Sequence, residues 1–309
     1  MFNKVSNKTL IVIFGVLIVI AAFYILVESN KDERTFKTNL VNIDTAKVTA
    51  ISIYPKATNH QEVRLYKEGN KNWKVKLDNS NTANVPESKI KSLLDMLVQV
   101  KPTRVAAQDK SKWAEFKVDT TGTRVKVFEG NDNTLDLIVG KFAFRQPRQM
   151  NTYVRLNGED EVYETQGFLD MAVNQKPDYF RNNALVNDDP SNWNKLTFTY
   201  PDSSFELVKN DKQWSINGNK TDSAKTANYL RTLSHLSSSS FVDNPPADPG
   251  HAEFTLTIES TSQGAIVLSA YGGSSGTIVA SSANSGAYFN GMTNGLLQKI
   301  YIGKRHLMK

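Results

Sequence analysis

Val63-Arg64-Leu65-Tyr66-Lys67-Glu68-Gly69-Asn70-Lys71-Asn72-Trp73-Lys74-Val75 reads as an alternating strand, a polar turn and a second alternating strand that carries a tryptophan. Alternation on both sides of a Gly/Asn-rich turn is the pattern of a β-hairpin. The pattern returns at Phe205-Glu206-Leu207-Val208-Lys209-Asn210-Asp211-Lys212-Gln213-Trp214-Ser215-Ile216, with Trp214 in the place of Trp73. One further strand precedes each copy, Ile51-Ser52-Ile53-Tyr54-Pro55 in the first and Leu196-Thr197-Phe198-Thr199-Tyr200-Pro201 in the second, and both end at Tyr-Pro. Three strands recurring in order point to an internal duplication.

A helix is expected after each hairpin. In the first copy Pro86 suits the first helical position, and Ile90, Leu93, Leu94 and Leu97 fall at i, i+3, i+4 and i+7. In the second, Asp222 or Ser223 can cap, and Tyr229, Leu230, Leu233 and Leu236 form the stripe. More strands follow. Val125 and Val127, then Leu135, Leu137 and Val139, correspond to Phe254, Leu256 and Ile258, then Ile266 and Leu268. Short strands near 152–156 and 161–164 match 277–280 and 287–289, and closing helices are expected at 167–173 and 293–301. Strand runs broken by a helix imply an α+β class, built as two tandem, duplicated, mostly antiparallel modules. Pro, Asn and Asp gather between Lys176 and Pro190, which places the boundary near 185, and 237–250 reads as a long surface loop.

From Leu10 to Val27 the chain reads LIVIFGVLIVIAAFYILV, eighteen residues without a charge. At ~1.5 Å per residue this run covers about 27 Å of a hydrocarbon layer about 30 Å thick, so a single N-terminal transmembrane helix is expected. Lys4 and Lys8 precede it and no acid comes before Glu28, which orients the short tail inward. The organisation expected is a cytoplasmic tail at 1–9, a membrane helix at 10–27, a juxtamembrane linker at 28–45, a first module at 46–185 and a second at 186–309. A cleaved signal with Val27-Glu28-Ser29 at the processing site is the competing reading; the length of the run favours an uncleaved signal-anchor.

Composition excludes several classes. With 39% hydrophobic and 10% aromatic residues in 309, the chain has material for a core, unlike chains that stay disordered. The absence of Cys removes disulfides, thiolate metal sites, thiol nucleophiles and a lipobox anchor. The net charge of +6 arises from 37 basic and 31 acidic residues intermixed along the chain, so no nucleic-acid partner is expected.

Trp73-Lys74-Val75, Val85-Pro86, Gly140-Lys141, Tyr153-Val154, Val162-Tyr163 and Tyr179-Phe180-Arg181-Asn182-Asn183-Ala184-Leu185 together resemble an uncharacterised bacterial domain-of-unknown-function family. The resemblance covers most of 40–309, and Lys112-Trp113-Ala114-Glu115-Phe116-Lys117-Val118 stands where that family has a glycine-bearing turn. Genes of this family often sit beside those of gliding-motility-type ABC transporters. The resemblance implies a membrane-anchored accessory protein, with its ectodomain in the periplasm or extracytoplasmic space, at the bacterial cytoplasmic (inner) membrane. Its implied partners are the membrane and ABC permease and ATPase subunits. It brings no catalytic residue with it.

No chemical motif stands complete in the chain. His60, His235, His251 and His306 are far apart in sequence and form no helical metal pair. Ser88-Lys89-Ile90-Lys91 spells SxxK without its companion motifs, and Lys91 reads as part of a polar helix face. Tyr271-Gly272-Gly273-Ser274-Ser275-Gly276 lacks the Lys-Ser/Thr ending of a phosphate loop and reads as a hairpin turn. Asp78-Asn79-Ser80-Asn81 and Asn131-Asp132-Asn133 read as turns, lacking the Gly and Glu of a calcium loop. Trp73 and Trp214 suit sugar stacking, though Val75 and Ile216 two residues on favour a core position. No catalytic, cofactor-binding or metal-ligating residue is therefore assigned, no cofactor is expected, and the chain is read as no enzyme. The leading expectation is an accessory subunit acting through its repeat modules. The alternative is a module that binds an envelope glycan or other polymer, and a hydrolase built from scattered Ser, His and Asp ranks last.

Overall fold

In the computed structural model the described residues are 14–18, 37–69, 72–77, 81–145, 149–272 and 276–308. The hairpin of Val63–Glu68 (β2) and Asn72–Lys76 (β3) sets Leu65 opposite Val75 and Lys67 opposite Trp73. One face of it carries Val63, Leu65, Trp73 and Val75, all buried, while Arg64 and Lys76 stay exposed. Val48–Tyr54 (β1) lies against β2, and Thr82–Val85 (β4) against β3. Pro102–Ala107 (β5), Thr123–Glu129 (β6), Asp132–Arg145 (β7), Gln149–Leu156 (β8) and Val162–Gln166 (β9) complete a nine-stranded antiparallel sheet ordered β4-β3-β2-β1-β6-β7-β8-β9-β5.

The second sheet holds Trp193–Tyr200 (β10), Ser203–Asn210 (β11), Gln213–Ile216 (β12), Asn219–Lys220 (β13), Phe254–Ser260 (β14), Gly264–Tyr271 (β15), Ile278–Ser281 (β16) and Tyr288–Asn290 (β17). Its order, β13-β12-β11-β10-β14-β15-β16-β17, follows that of the first sheet apart from the missing counterpart of β5. Even the irregularities agree. The β1/β6 register shifts between Val48 and Ala50, and the β10/β14 register shifts between Trp193 and Lys195.

Each sheet carries one twelve-residue helix, Glu87–Val98 in the first half and Ser223–Ser234 in the second. Ile90, Leu93, Leu94 and Leu97 of the first join a core that runs from Leu40 to Phe180, and Tyr229, Leu230 and Leu233 of the second join one that runs from Leu185 to Leu307. The first helix links β4, at one edge of its sheet, to β5 at the other. In the second half the chain makes the same passage: Phe241 bridges to Phe289, and Val242 N–H donates to the Tyr288 carbonyl at 2.8 Å.

These sheets correct the expected fold class. The molecule is mainly antiparallel β structure, and its helices are a thin layer: the closing ones shrink to Leu169–Val173 and Leu296–Ile300. The reason is that β7 runs fourteen residues and β5 adds an edge strand, so backbone read as loop is spent on ladders. The expected transmembrane helix is also withdrawn. Phe14 to Ile18 are helical and exposed, the rest of 10–27 lies outside the described residues, and no helix among the described residues is long and apolar enough to cross a membrane. Pro86 proves to be the extended residue before its helix rather than the first helical one.

A small second core lies on the opposite face of the first sheet. Ile138 alternates away from Leu137 and Val139 and meets Val118, Tyr153 and Val162 under the short helix Trp113–Phe116. Gly140 lets that helix approach. A Cβ there would run into the Phe116 carbonyl oxygen and stand 2.6 Å from the Val118 side chain.

Candidate functional site

Asp222 caps the helix that walls a cleft in the second half. Its carboxylate accepts from Lys225 N–H at 2.9 Å and so caps Ser223–Ser234, satisfying one of the free donors of a helix start. This helix stands off the β11–β12 hairpin and the turn at Asp188-Asp189-Pro190-Ser191, and between them opens a cleft of about 1190 Å³. Trp214 lies in it half-buried, among Asn187, Ser191, Asn210, Gln213, Thr221 and Ser223.

Trp73 and Trp214 occupy the same register, each opposite a lysine that reaches over its ring: Lys67 Nζ at 5.4 Å and Lys209 Nζ at 5.9 Å from the ring centres. Their burial differs although the neighbouring register is filled in both. Val85 of β4 stands directly opposite Trp73, which is 5% exposed, whereas Thr221, next after β13, holds that place beside Trp214 and donates both its N–H and its Oγ1 to the Trp214 carbonyl at 3.1 Å. A threonine bonded to the backbone thus replaces a valine beside the half-buried ring.

Asp188 anchors the cleft floor. Its Oδ2 accepts from Trp193 Nε1 at 2.7 Å and Ser260 Oγ at 2.6 Å, and its Oδ1 from Ser262 Oγ at 2.7 Å and Asn192 Nδ2 at 3.2 Å. Burial pushes this carboxyl up, but the four donors outweigh it and hold it well below the usual carboxylate range. All of its capacity is spent inside the protein, so it is a structural clamp. The groups left to a ligand are balanced in sign: Asp189 and Asp211 against Lys212 and Arg231.

The residues singled out from sequence do not converge. His235 sits at the rim of this cleft, while His60, His251 and His306 are exposed elsewhere, and among the described residues no group of three His, Asp or Glu could hold a metal ion. His60 has a φ of 61° and its Nδ1 lies 3.3 Å from the Tyr54 carbonyl. Lys91 pairs with Asp95 at 2.7 Å on the exposed helix face, so the SxxK reading dissolves into an i, i+4 ion pair. Asn131 lies in the β6–β7 turn and Asp132 and Asn133 open β7. Asp78, Asn79 and Ser80, and likewise Gly273, Ser274 and Ser275, lie outside the described residues. The cleft itself escaped the sequence reading, because Trp73 and Trp214 have the same local pattern; the Thr221-Asp222 cap so soon after Trp214 was the available signal.

A family model described as Domain of unknown function (DUF4340) matches residues 73–255, more than half of the chain. No curated protein and no solved structure matches. The family match lends no support to the ABC-transporter and gliding-motility associations that the resemblance had implied.

Proposed function

The chain belongs to the DUF4340 family of domains of unknown function, and we propose that it acts by binding rather than catalysis, gripping a segment of neutral polar polymer, a glycan by its chemistry, in the Trp214 cleft. The carrying observation is one aromatic face left half-buried in a large cleft walled by amides and hydroxyls. An aromatic face stacks on the apolar side of a sugar ring, and amides and hydroxyls satisfy its ring of OH groups. The balanced charges suit a neutral polyol better than a polyanion, since a polyanion would meet Asp189 and Asp211. Calorimetric titration of the full chain with a panel of envelope oligosaccharides tests this. Saturable binding that Trp214→Ala removes supports it, and no binding across the panel sinks it.

A second reading, an accessory subunit of a larger protein assembly, rests on a different surface. Phe142 stacks on Phe168 with centroids 4.7 Å apart, and both are exposed, as are Phe144, Met150 and Met171. Phe144 pairs with Met150 across β7 and β8, so these apolar side chains share one face of the hairpin. Clustered exposed apolar residues mark contact surfaces. Co-purification of permease and ATPase subunits with the native chain, lost in a Phe142→Ser/Phe168→Ser variant, is the result that would favour it over glycan binding.

A further inference from the structure

Arg155 is 4% exposed and yet has no carboxylate among its hydrogen-bond partners in the described residues. Its Nε donates to the Val118 carbonyl at 3.0 Å, and its Nη1 to those of Leu156 at 3.2 Å and Glu159 at 3.0 Å. The guanidinium lies flat on Trp113, 3.6 Å from the ring centre. Three acids act on it through space, but each is engaged elsewhere. Asp119 accepts from Thr121 Oγ1 at 2.6 Å, Asp136 takes both Arg124 Nε at 2.7 Å and Nη2 at 2.6 Å, and Asp160 pairs with Lys110 at 3.5 Å. Burying a cation without a directly paired anion is costly, and proteins ordinarily supply the partner. Burial is accordingly the largest influence on this group, and it works against the charged form.

The missing anion has a place to sit. A cleft of about 370 Å³ opens beside Arg155, walled by Tyr54, Trp113 and Ile138, with His60 and Arg124 at its sides. Nη2 is the one nitrogen of Arg155 without an acceptor among the described residues, it is not among the fully buried orphan atoms, and Arg155 lines this cleft. Arg124 spends Nε and Nη2 on Asp136 and keeps Nη1. Two fixed guanidinium donors thus flank an apolar recess. Because Arg155 is already held by three carbonyls and a ring, it loses little freedom when a ligand arrives.

We propose that this cleft binds a small organic oxyanion, a carboxylate or phosphate on an apolar body, with Arg155 Nη2 as the charged donor and the Tyr54 and Trp113 rings as walls. It lies in the first half of the chain and stands apart from the Trp214 cleft, so it holds whether or not glycans bind there. Asp119 in its wall, and Asp136 behind Arg124, limit it to a ligand of low charge, and the volume is at the small-molecule end of binding clefts.

Calorimetric titration of the full chain with benzoate, phenyl phosphate and, as the neutral counterpart, benzyl alcohol decides the matter. Saturable binding of benzoate or phenyl phosphate, tighter than benzyl alcohol by about tenfold or more as one charge-assisted hydrogen bond would give, supports the proposal, and the tighter of the two names the headgroup. Arg155→Met should remove that preference, and Arg155→Lys should keep part of it. Should Arg155→Met fail to fold, Arg124→Gln replaces it, since that side chain is 38% exposed and its loss should weaken both anions severalfold. Equal affinity for benzyl alcohol, unchanged anion binding in these variants, or no binding by any of the three would overturn it.

Discussion

Lys89 and Lys225 stand at the same position of their helices, third from the start of Glu87–Val98 and of Ser223–Ser234, and each donates to main-chain carbonyls at the end of its own half. Lys89 Nζ reaches Tyr179 at 2.6 Å and Arg181 at 2.9 Å, and Lys225 Nζ reaches Met308 at 2.8 Å. An ammonium with a long stem spans the gap between a helix and the chain that closes its core. Charged hydrogen bonds of this kind contribute about 1.5–3 kcal/mol when shielded. Lys89→Met should therefore lower unfolding stability by about 1–2 kcal/mol in urea denaturation, and Lys225→Met, more exposed, by less. Equal, negligible effects would show that the closing segments are held by Phe180 and Leu307 alone.

Trp73 and Trp214 should separate stability from binding. Trp73→Ala empties a core position and should cost about 3–5 kcal/mol. Trp214→Ala should cost far less and remove oligosaccharide binding. The paired measurements are a urea midpoint and a calorimetric titration on each variant.

Gly140→Ala tests the close approach under Trp113–Phe116. The added carbon meets a carbonyl oxygen, which is backbone and cannot swing aside. A loss of about 1–3 kcal/mol is expected, as for overpacked cores. Thermal melts of this variant beside Gly158→Ala, where a side chain would meet only a positive φ and open space, distinguish crowding from turn strain.

Asp188 makes the second half acid-sensitive. Its folded pKa lies below its unfolded value, so its contribution is complete above about pH 4 and fades as the pH falls through the folded value. Asp188→Asn should cost about 1–3 kcal/mol at neutral pH, because Trp193 Nε1 and two serine hydroxyls lose a charged acceptor. The difference from the native chain should narrow on acidification. Urea midpoints of both proteins at a series of pH values check it, and a gap that stays constant into strong acid would contradict the clamp.

Much of the local structure was legible. The stretches around Trp73 and Trp214 became β2–β3 and β11–β12, and the stripes at Ile90–Leu97 and Tyr229–Leu233 became buried helix faces. The helix–strand balance was not. Pro102–Ala107 shows little alternation, and it is a strand because β9, sixty residues away in sequence, supplies its ladder. β7 continues past Val139 through Gly140 because β8 pairs with Phe142, Phe144 and their neighbours. Arg155 could not be singled out either, since Val118 and Trp113 reach it from distant sequence.

Alternation, helical stripes and turn residues act between near neighbours, so the hairpins, their order, the two helices and the absence of cysteine chemistry are written in the chain's local pattern. Which tryptophan is covered and which arginine is buried follow from packing between distant segments. Those outcomes depend on what packs alongside: Val85 opposite Trp73, Thr221 opposite Trp214, and a helix laid across Gly140 that leaves Arg155 beside an open cleft. Burial is a property of neighbours brought from far along the chain, and no single stretch encodes it.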